Sequence, residues 1–335
     1  MLRSFAALGK KYVYKMAIDE VKMEILKRVY ILFALSLLPV SVSFGQVESF
    51  IFQGVDRQYR IHNEQAASEG TAPVVVHLHG LRNRERMEKG RETLDLIGWK
   101  PLEETAVKNG FVLVQPAAYW GQWNLFTGLD NTRLDNGEEF DDIGYVFGVV
   151  DKLIREGLAD RKRIYVSGIS DGATMLVRLL CHPDSPFAAA VHLVGSMPES
   201  YQQDCNPARP TPFMAIAGTT DRILFYDGRI YPYGRSLSIP ELMEFWRLKH
   251  GCTGQAYELL PDRDPDDSSR VVSITWNGCT IDGAVKQLRV EGGGHAVPGF
   301  NPVPDSRRER WGGHNRDIES AVEVWKFVNK FTMSL

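Results

Sequence analysis

At 335 residues, 44% apolar and 24% charged, with a net charge of −3, the chain has the make-up of a globular protein with room for one large core. That balance excludes a disordered chain. It also gives no basic tract for a nucleic-acid partner, since the run Arg307-Arg308-Glu309-Arg310 is short and mixed in sign and reads as a solvated loop.

The first element is a targeting pattern. Lys22, Lys27 and Arg28 precede an apolar run over residues 29–38, and Ser43-Phe44-Gly45 supplies small residues before a cleavage point. Residues 1–45 are therefore expected to be a signal peptide, with Met16 and Met23 as alternative starts. The run is short for a spanning helix, so no permanent membrane anchor is expected. Cleavage removes seven basic and three acidic residues and leaves about −7 on the mature chain, expected to be secreted or periplasmic. All four cysteines (Cys181, Cys205, Cys252 and Cys279) lie beyond that point, an even number in an exported chain. Three pairings are possible, and spacing does not choose among them.

Beyond residue 45, residues 49–52 and 57–61 alternate around Gly54-Val55-Asp56, predicting an edge hairpin. Residues 73–81 form an apolar strand running into His77-Leu78-His79-Gly80-Leu81. His77 and His79 share a face, but with no third ligand nearby they read as packing and no metal is expected. A helix over 99–108 stops at Asn109-Gly110, a strand follows over 111–115, and an acidic first turn opens a helix over 141–155. Between them lies a loop carrying Tyr119, Trp120, Trp123 and Phe126, with Trp123 the candidate for a substrate-facing wall; packing against the body is the alternative.

Residues 163–167 read as a buried strand and lead into Gly168-Ile169-Ser170-Asp171-Gly172, followed by a helix. A G-x-S-x-G sequence in that context marks a sharp turn that projects the serine, so Ser170 is a candidate nucleophile. A serine hydroxyl needs a base and an orienting acid. Asp221 follows an apolar strand over 211–218 and is the acid candidate, while Asp227 reads as a turn residue. His295 follows the strand ending at Leu288 and Val290 and is the base candidate. His314 is its competitor, and His250 reads as a helix C-terminal residue. The backbone N–H groups of Asp171 and Leu81 are candidates for an oxyanion hole. Ser238-Ile239-Pro240-Glu241 has capping-box spacing, and a last helix over 317–330 carries Ile318, Val322, Trp325 and Val328 as its inward stripe. Residues 262–267 read as a solvated turn.

Alternating strands and helices predict an α/β fold: a mostly parallel sheet with helices on both faces and reactive groups at the strands' carboxyl ends. A single catalytic domain over 46–335 is expected.

Seven motifs in order carry a family resemblance: 74–80 ending His-Leu-His-Gly, Gly110-Phe111-Val112-Leu113-Val114-Gln115-Pro116, Trp123-Asn124, Asp141-Asp142-Ile143-Gly144, the Ser170 turn, Gly218-Thr219-Thr220-Asp221, and Glu291-Gly292-Gly293-Gly294-His295 with Pro298-Gly299. Over about residues 74–327 the chain resembles the secreted α/β-hydrolase esterases that include polyhydroxybutyrate depolymerases and feruloyl esterases. The resemblance implies the α/β-hydrolase fold, Ser170, Asp221 and His295 as a triad, pairing of Cys181 with Cys205 and of Cys252 with Cys279, and no cofactor. It implies hydrolysis of carboxylic esters through an acyl-enzyme. Feruloyl- or acetyl-type esters of plant polysaccharide are the first expectation, because no polymer-binding module is expected and the loop is aromatic. Polyhydroxyalkanoate is the alternative polymer, and an impaired site serving only for binding is a third reading. Two departures stand out. Asp171 replaces the family's Asn after the serine, and Leu81-Arg82-Asn83-Arg84 replaces a glycine-rich continuation.

Overall fold

The computed structural model describes residues 45–68, 70–82, 99–126, 137, 139–232, 234–299 and 310–334. The expected leader, apart from Gly45, lies outside them, as do Asn83-Arg84 and residues 307–309.

Hydrophobic alternation at the start of the described chain folds back on itself as strands β1 (Gln46–Phe52) and β2 (Val55–His62), paired antiparallel. Gln53 and Gly54 both take positive φ, 50° and 76°, as a tight hairpin turn requires. The next apolar runs form β3 (Ala72–Leu78) and β4 (Val112–Pro116), buried at every position because both faces of a parallel sheet are covered. Helix α1 (Lys100–Asn109) joins them and is closed by Gly110 at φ 69°. Helix α2 (Asp142–Arg155) is capped by Asp141, whose carboxylate accepts the Gly144 N–H.

Strand β5 (Ala159–Ile169) is longer than predicted and leads through Ser170 into α3 (Asp171–Cys181). There follow β6 (Ala189–Leu193), the short α4 (Tyr201–Asp204), β7 (Phe213–Gly218) and a small hairpin of β8 (Arg229–Tyr231) and β9 (Gly234–Ser236). Helix α5 (Ile239–Lys249) begins with a full capping box between Ser238 and Glu241. The last elements are β10 (Gly254–Leu259), β11 (Arg270–Asn277), β12 (Val285–Glu291) and α6 (Ser320–Val328).

Ten of these strands form one sheet in the order β1-β2-β4-β3-β5-β6-β7-β12-β11-β10. The six central strands, β4 to β12, run parallel, and the pairs towards both edges are antiparallel. Period-two alternation divides β3 between two cores. Val74 and Val76 pack on one face with Tyr145, Val149, Met175, Leu179 and Trp246, and Val75 packs on the other with Leu102, Tyr165, Ile216 and Phe327. This is the α/β-hydrolase fold.

The last helix differs from its predicted phase. It begins at Ser320, and Ala321, Val324, Phe327 and Val328 face inward while Val322 is exposed. Trp325 stacks on Phe111 at 4.4 Å from the rim of the core.

The cysteines are joined as Cys181–Cys205 and Cys252–Cys279, tying α3 to the segment after α4 and the end of α5 to the segment after β11. Each closes a loop, with sequence separations of 24 and 27. Peptide mapping of oxidised protein is expected to recover these two pairs. Cys205→Ala, with Cys181→Ala to avoid a free thiol, is expected to lower unfolding free energy by roughly 2–4 kcal/mol. Any other linkage, or an unchanged urea midpoint, contradicts the expectation.

Candidate active site

The turn at Ser170 is forced by close packing. Strand β5 hands over to α3 with Ser170 at φ 56°, ψ −121°, a conformation that costs a non-glycine residue of order 1–3 kcal/mol. The Ser170 N–H donates to Leu193 O at 2.9 Å, holding the residue against β6. A Cβ on Gly168 would sit 2.3 Å from Gly172 O, and one on Gly172 would sit 2.2 Å from Leu78 O. Strand, helix and β3 can approach this closely only with both glycines in place.

Two loops at the carboxyl ends of β7 and β12 bring the other groups to the serine. His295 Nε2 accepts the Ser170 Oγ–H at 3.1 Å, and His295 Nδ1–H donates to Asp221 Oδ2 at 2.8 Å. The other Asp221 oxygen accepts the N–H groups of Ile223 and Leu224 at 2.8 and 2.9 Å, which fixes the carboxylate. The loops are stitched together: Thr220 N–H and its hydroxyl donate to Gly293 O, and Gly292 N–H donates to Thr219 Oγ1. The His295 N–H donates to Trp311 O at 2.7 Å, and its ring meets the Trp311 edge. Ser170, Asp221 and His295 are therefore brought together in one hydrogen-bonded line. The competitors lie elsewhere: His314 is buried, and His250 is buried with Nε2–H donating to Thr211 O.

Above the serine runs the loop after β3. A Cβ on Gly80 would come within 3.1 Å of Ser170 Cβ, so this backbone passes close over Ser170. The His79 ring sets the next peptide. Its Nε2 accepts the Ala118 N–H at 3.1 Å, so Nδ1 carries the proton and donates to Gly80 O at 2.6 Å. A peptide's C=O and N–H point in opposite directions, so holding Gly80 O aims the Leu81 N–H away from His79. Arg82 N–H is taken by Gly121 O at 3.0 Å. The Asp171 N–H is the first amide of α3, where no carbonyl within the helix can accept it. Gly80, which precedes Leu81, and Asp171, which follows Ser170, thus bring the two segments that carry the candidate amides to Ser170.

Trp123 takes the second of the two placements read from the sequence, packing against the body. It is 4% exposed, its indole N–H donates to His79 O at 2.8 Å, and its ring lies against the His79 ring. It supports the loop from beneath and does not form an open wall for substrate. The predicted pairing of His77 and His79 as packing residues matches their contacts. His77 Nδ1 bonds Ser167 Oγ and its ring lies 5.0 Å from Trp99. Asp142, noted in the sequence only as part of a motif, forms a buried pair with Arg57, which the sequence reading did not single out. The available signal was Arg57 itself, on the same face of β2 as inward Tyr59 and Ile61.

Electrostatics sort the site into neutral and charged groups. Burial, with Arg82 nearby, lowers the pKa of His79 from 6.5 to about 3, so its neutral tautomer persists. Burial pushes the Asp171 carboxyl up, opposed by attraction to His295. Its side chain makes no hydrogen bond among the described residues.

No family model matches the sequence. The chain is 26% identical over 290 residues to "Putative esterase NocK" of Nocardia uniformis subsp. tsuyamanensis, covering 78% of this chain and 76% of that one. It is 22% identical over 283 residues to the bifunctional acetylxylan esterase/xylanase XynS20E of Neocallimastix patriciarum, and 24% identical over 163 residues to feruloyl esterase B of Piromyces equi. Those matches cover 84% and 47% of this chain but only 34% and 29% of the two longer relatives. The acetyl xylan esterase from Aspergillus awamori superposes with a TM-score of 0.52 at 16% identity, over 79% of this chain and 98% of that one.

The buried histidines have a measurable consequence. His62, His77, His79 and His192 are all held by burial at pKa values of about 4, 3, 3 and 4, against 6.5 when unfolded. Between those limits the unfolded chain binds more protons, so stability falls as pH drops, by up to about 1.4 kcal/mol per pH unit per histidine. His250 and the lowered carboxyls of Asp160, Glu241 and Glu244 act in the same sense, while the raised carboxyls of Glu64, Glu103, Asp171 and Glu319 oppose it, eight groups against four. Urea midpoints are expected to decline steadily from about pH 6.5 to pH 4.5; a level profile contradicts the assignment. The chain thus has the α/β-hydrolase fold, and in sequence it is similar to esterases.

Proposed function

We propose that this chain is an exported serine esterase that cleaves carboxylic esters through an acyl-enzyme on Ser170. The observation that carries the reading is the hydrogen-bonded line Ser170–His295–Asp221 at the carboxyl ends of parallel strands. Ser170 Oγ attacks the ester carbonyl as His295 Nε2 takes its proton, and Asp221 holds the opposite ring N–H and stabilises the cation formed. The carbonyl oxygen, now negative, is received by the Leu81 and Asp171 N–H groups. His295 returns its proton to the departing alkoxide, leaving the acyl group on Ser170. Water then repeats the sequence with His295 as base, releasing the acid.

Feruloyl- or acetyl-type esters of plant polysaccharide are the proposed substrates. The printed names of the acetylxylan esterase/xylanase and feruloyl esterase relatives support this class. Export is supported by the leader pattern and by two disulfides, which persist in oxidising compartments.

Three substitutions test the chemistry. Ser170→Ala, His295→Ala and Asp221→Ala are each expected to lower kcat on p-nitrophenyl acetate by about a thousandfold or more, with losses that do not add in double variants. Retained activity in Ser170→Ala contradicts the reading. A panel of methyl ferulate, acetylated xylan and hydroxybutyrate oligomers then ranks the substrates, and preference for hydroxybutyrate overturns the polysaccharide assignment.

Asp171 gives a separate test. Its carboxylate, when ionised, opposes the oxyanion formed beside its own N–H. Asp171→Asn is therefore expected to raise kcat by up to about tenfold with little change in KM. Because ionisation follows the raised pKa, the gain should grow with pH and vanish at the acid end. A loss of activity, or a gain independent of pH, contradicts this role.

A further inference from the structure

A chain of buried contacts reaches the loop over Ser170 from a strand outside the site. Arg57 points inward from β2, and its Nη2 donates to Asp142 Oδ1 at 2.6 Å, with side chains only 4% and 0% exposed. Its guanidinium lies 3.8 Å from the centre of the Tyr145 ring. The second carboxylate oxygen, Asp142 Oδ2, accepts the Asn124 N–H at 2.7 Å. The Asn124 side chain donates to Phe140 O, and Arg178 of α3 donates to Asn124 O. The backbone next to Trp123 is thus held on both sides, and Trp123 Nε1–H in turn holds His79 O.

We propose that Arg57, Asp142 and Trp123 are positioning residues that hold the Gly80–Leu81 peptide as the oxyanion donor. This rests on the esterase reading above. A buried ion pair is a weak stabiliser, because desolvation of both charges offsets their attraction. Here the carboxylate does something that an apolar pair of the same volume could not: it leaves one oxygen for a loop amide. From that amide the contacts pass through Trp123 to the His79 carbonyl, and the His79 ring fixes Gly80 O. An oxyanion donor must lie within about 2.7–3.1 Å of its target, so a small tilt of this peptide weakens transition-state binding while leaving substrate binding almost unchanged. Two sequence motifs, Trp123-Asn124 and Asp141-Asp142-Ile143-Gly144, acquire one physical explanation, since the second supplies the acceptor for the first.

Trp123→Phe tests the chain most cleanly, because it keeps the aromatic packing and deletes only the donor to His79 O. Asp142→Asn is the second variant, keeping an acceptor for Asn124 while removing the ion pair. Each is compared with the unaltered protein in kcat and KM on p-nitrophenyl acetate, in thermal midpoint, and in affinity for phenylboronic acid, which forms a tetrahedral adduct on the serine. Loss of a whole oxyanion donor costs about 10²–10³ in kcat, so a displaced donor is expected to cost about 10–100-fold with KM changed less than about twofold. Boronate affinity should weaken in step with kcat/KM. Variants with a lowered thermal midpoint but unchanged kcat and boronate affinity would overturn the proposal and leave the chain a stability device. An unaltered protein without ester turnover would instead defeat the esterase reading, and the boronate comparison would still decide whether the chain positions the loop.

Discussion

The site depends first on the backbone of Ser170 staying in a conformation that the residue does not favour. Free of its surroundings, a serine at φ 56°, ψ −121° would relax by of order 1–3 kcal/mol, swinging its hydroxyl away from His295. What prevents this is the packing on either side. Strand β5 is held between β3 and β6, and α3 buries Met175, Leu176, Leu179 and Leu180. Each such side chain contributes roughly 1.5–3 kcal/mol by leaving water, so the core exceeds the local strain several times over. Gly168 and Gly172 convert that packing into geometry by letting the strand and helix meet at backbone distance.

Around this fixed point the remaining groups arrive on loops, and loops need their own restraints. The loops carrying His295 and Asp221 are hydrogen-bonded to each other through Thr219, Thr220, Gly292 and Gly293. The loop above the serine is restrained by His79, whose ring stays neutral because burial makes protonation costly. Beneath it, Trp123 and Asn124 transmit the position of the Arg57–Asp142 pair. The neutral His79 ring adds no charge to this loop, where Arg82 is the nearby cation, while at the start of α3 a desolvated carboxyl, Asp171, stands next to Ser170.

Much of this could be read from the sequence because parallel sheets write plainly. Fully buried strands appear as unbroken apolar runs, and the residues after them fall at one end of the sheet, which is how Ser170, Asp221 and His295 could be selected before their distances were known. Direction was harder. A tryptophan in a loop has no period to say which way it points, so Trp123 read as a pocket wall or as packing, and in the structure its N–H is used by His79 O. The last helix was misphased because Val322 is apolar yet faces outward, while small Ala321 completes the buried stripe. Cysteine spacing alone left three pairings open, and only the resemblance pointed to the two that the structure contains. Arg57 was legible in principle, as a charged residue on the inward face of an alternating strand.

The proposed chemistry requires Ser170 to become covalently acylated. Brief reaction with an activated ester, quenching in acid and intact-mass measurement with peptide mapping would test it most directly. The predicted result is a single acyl adduct on the peptide containing Ser170, decaying as free acid appears and absent from Ser170→Ala. An adduct on any other residue, or ester turnover with no adduct at any quench time in a Ser170→Ala protein that remains active, would contradict it.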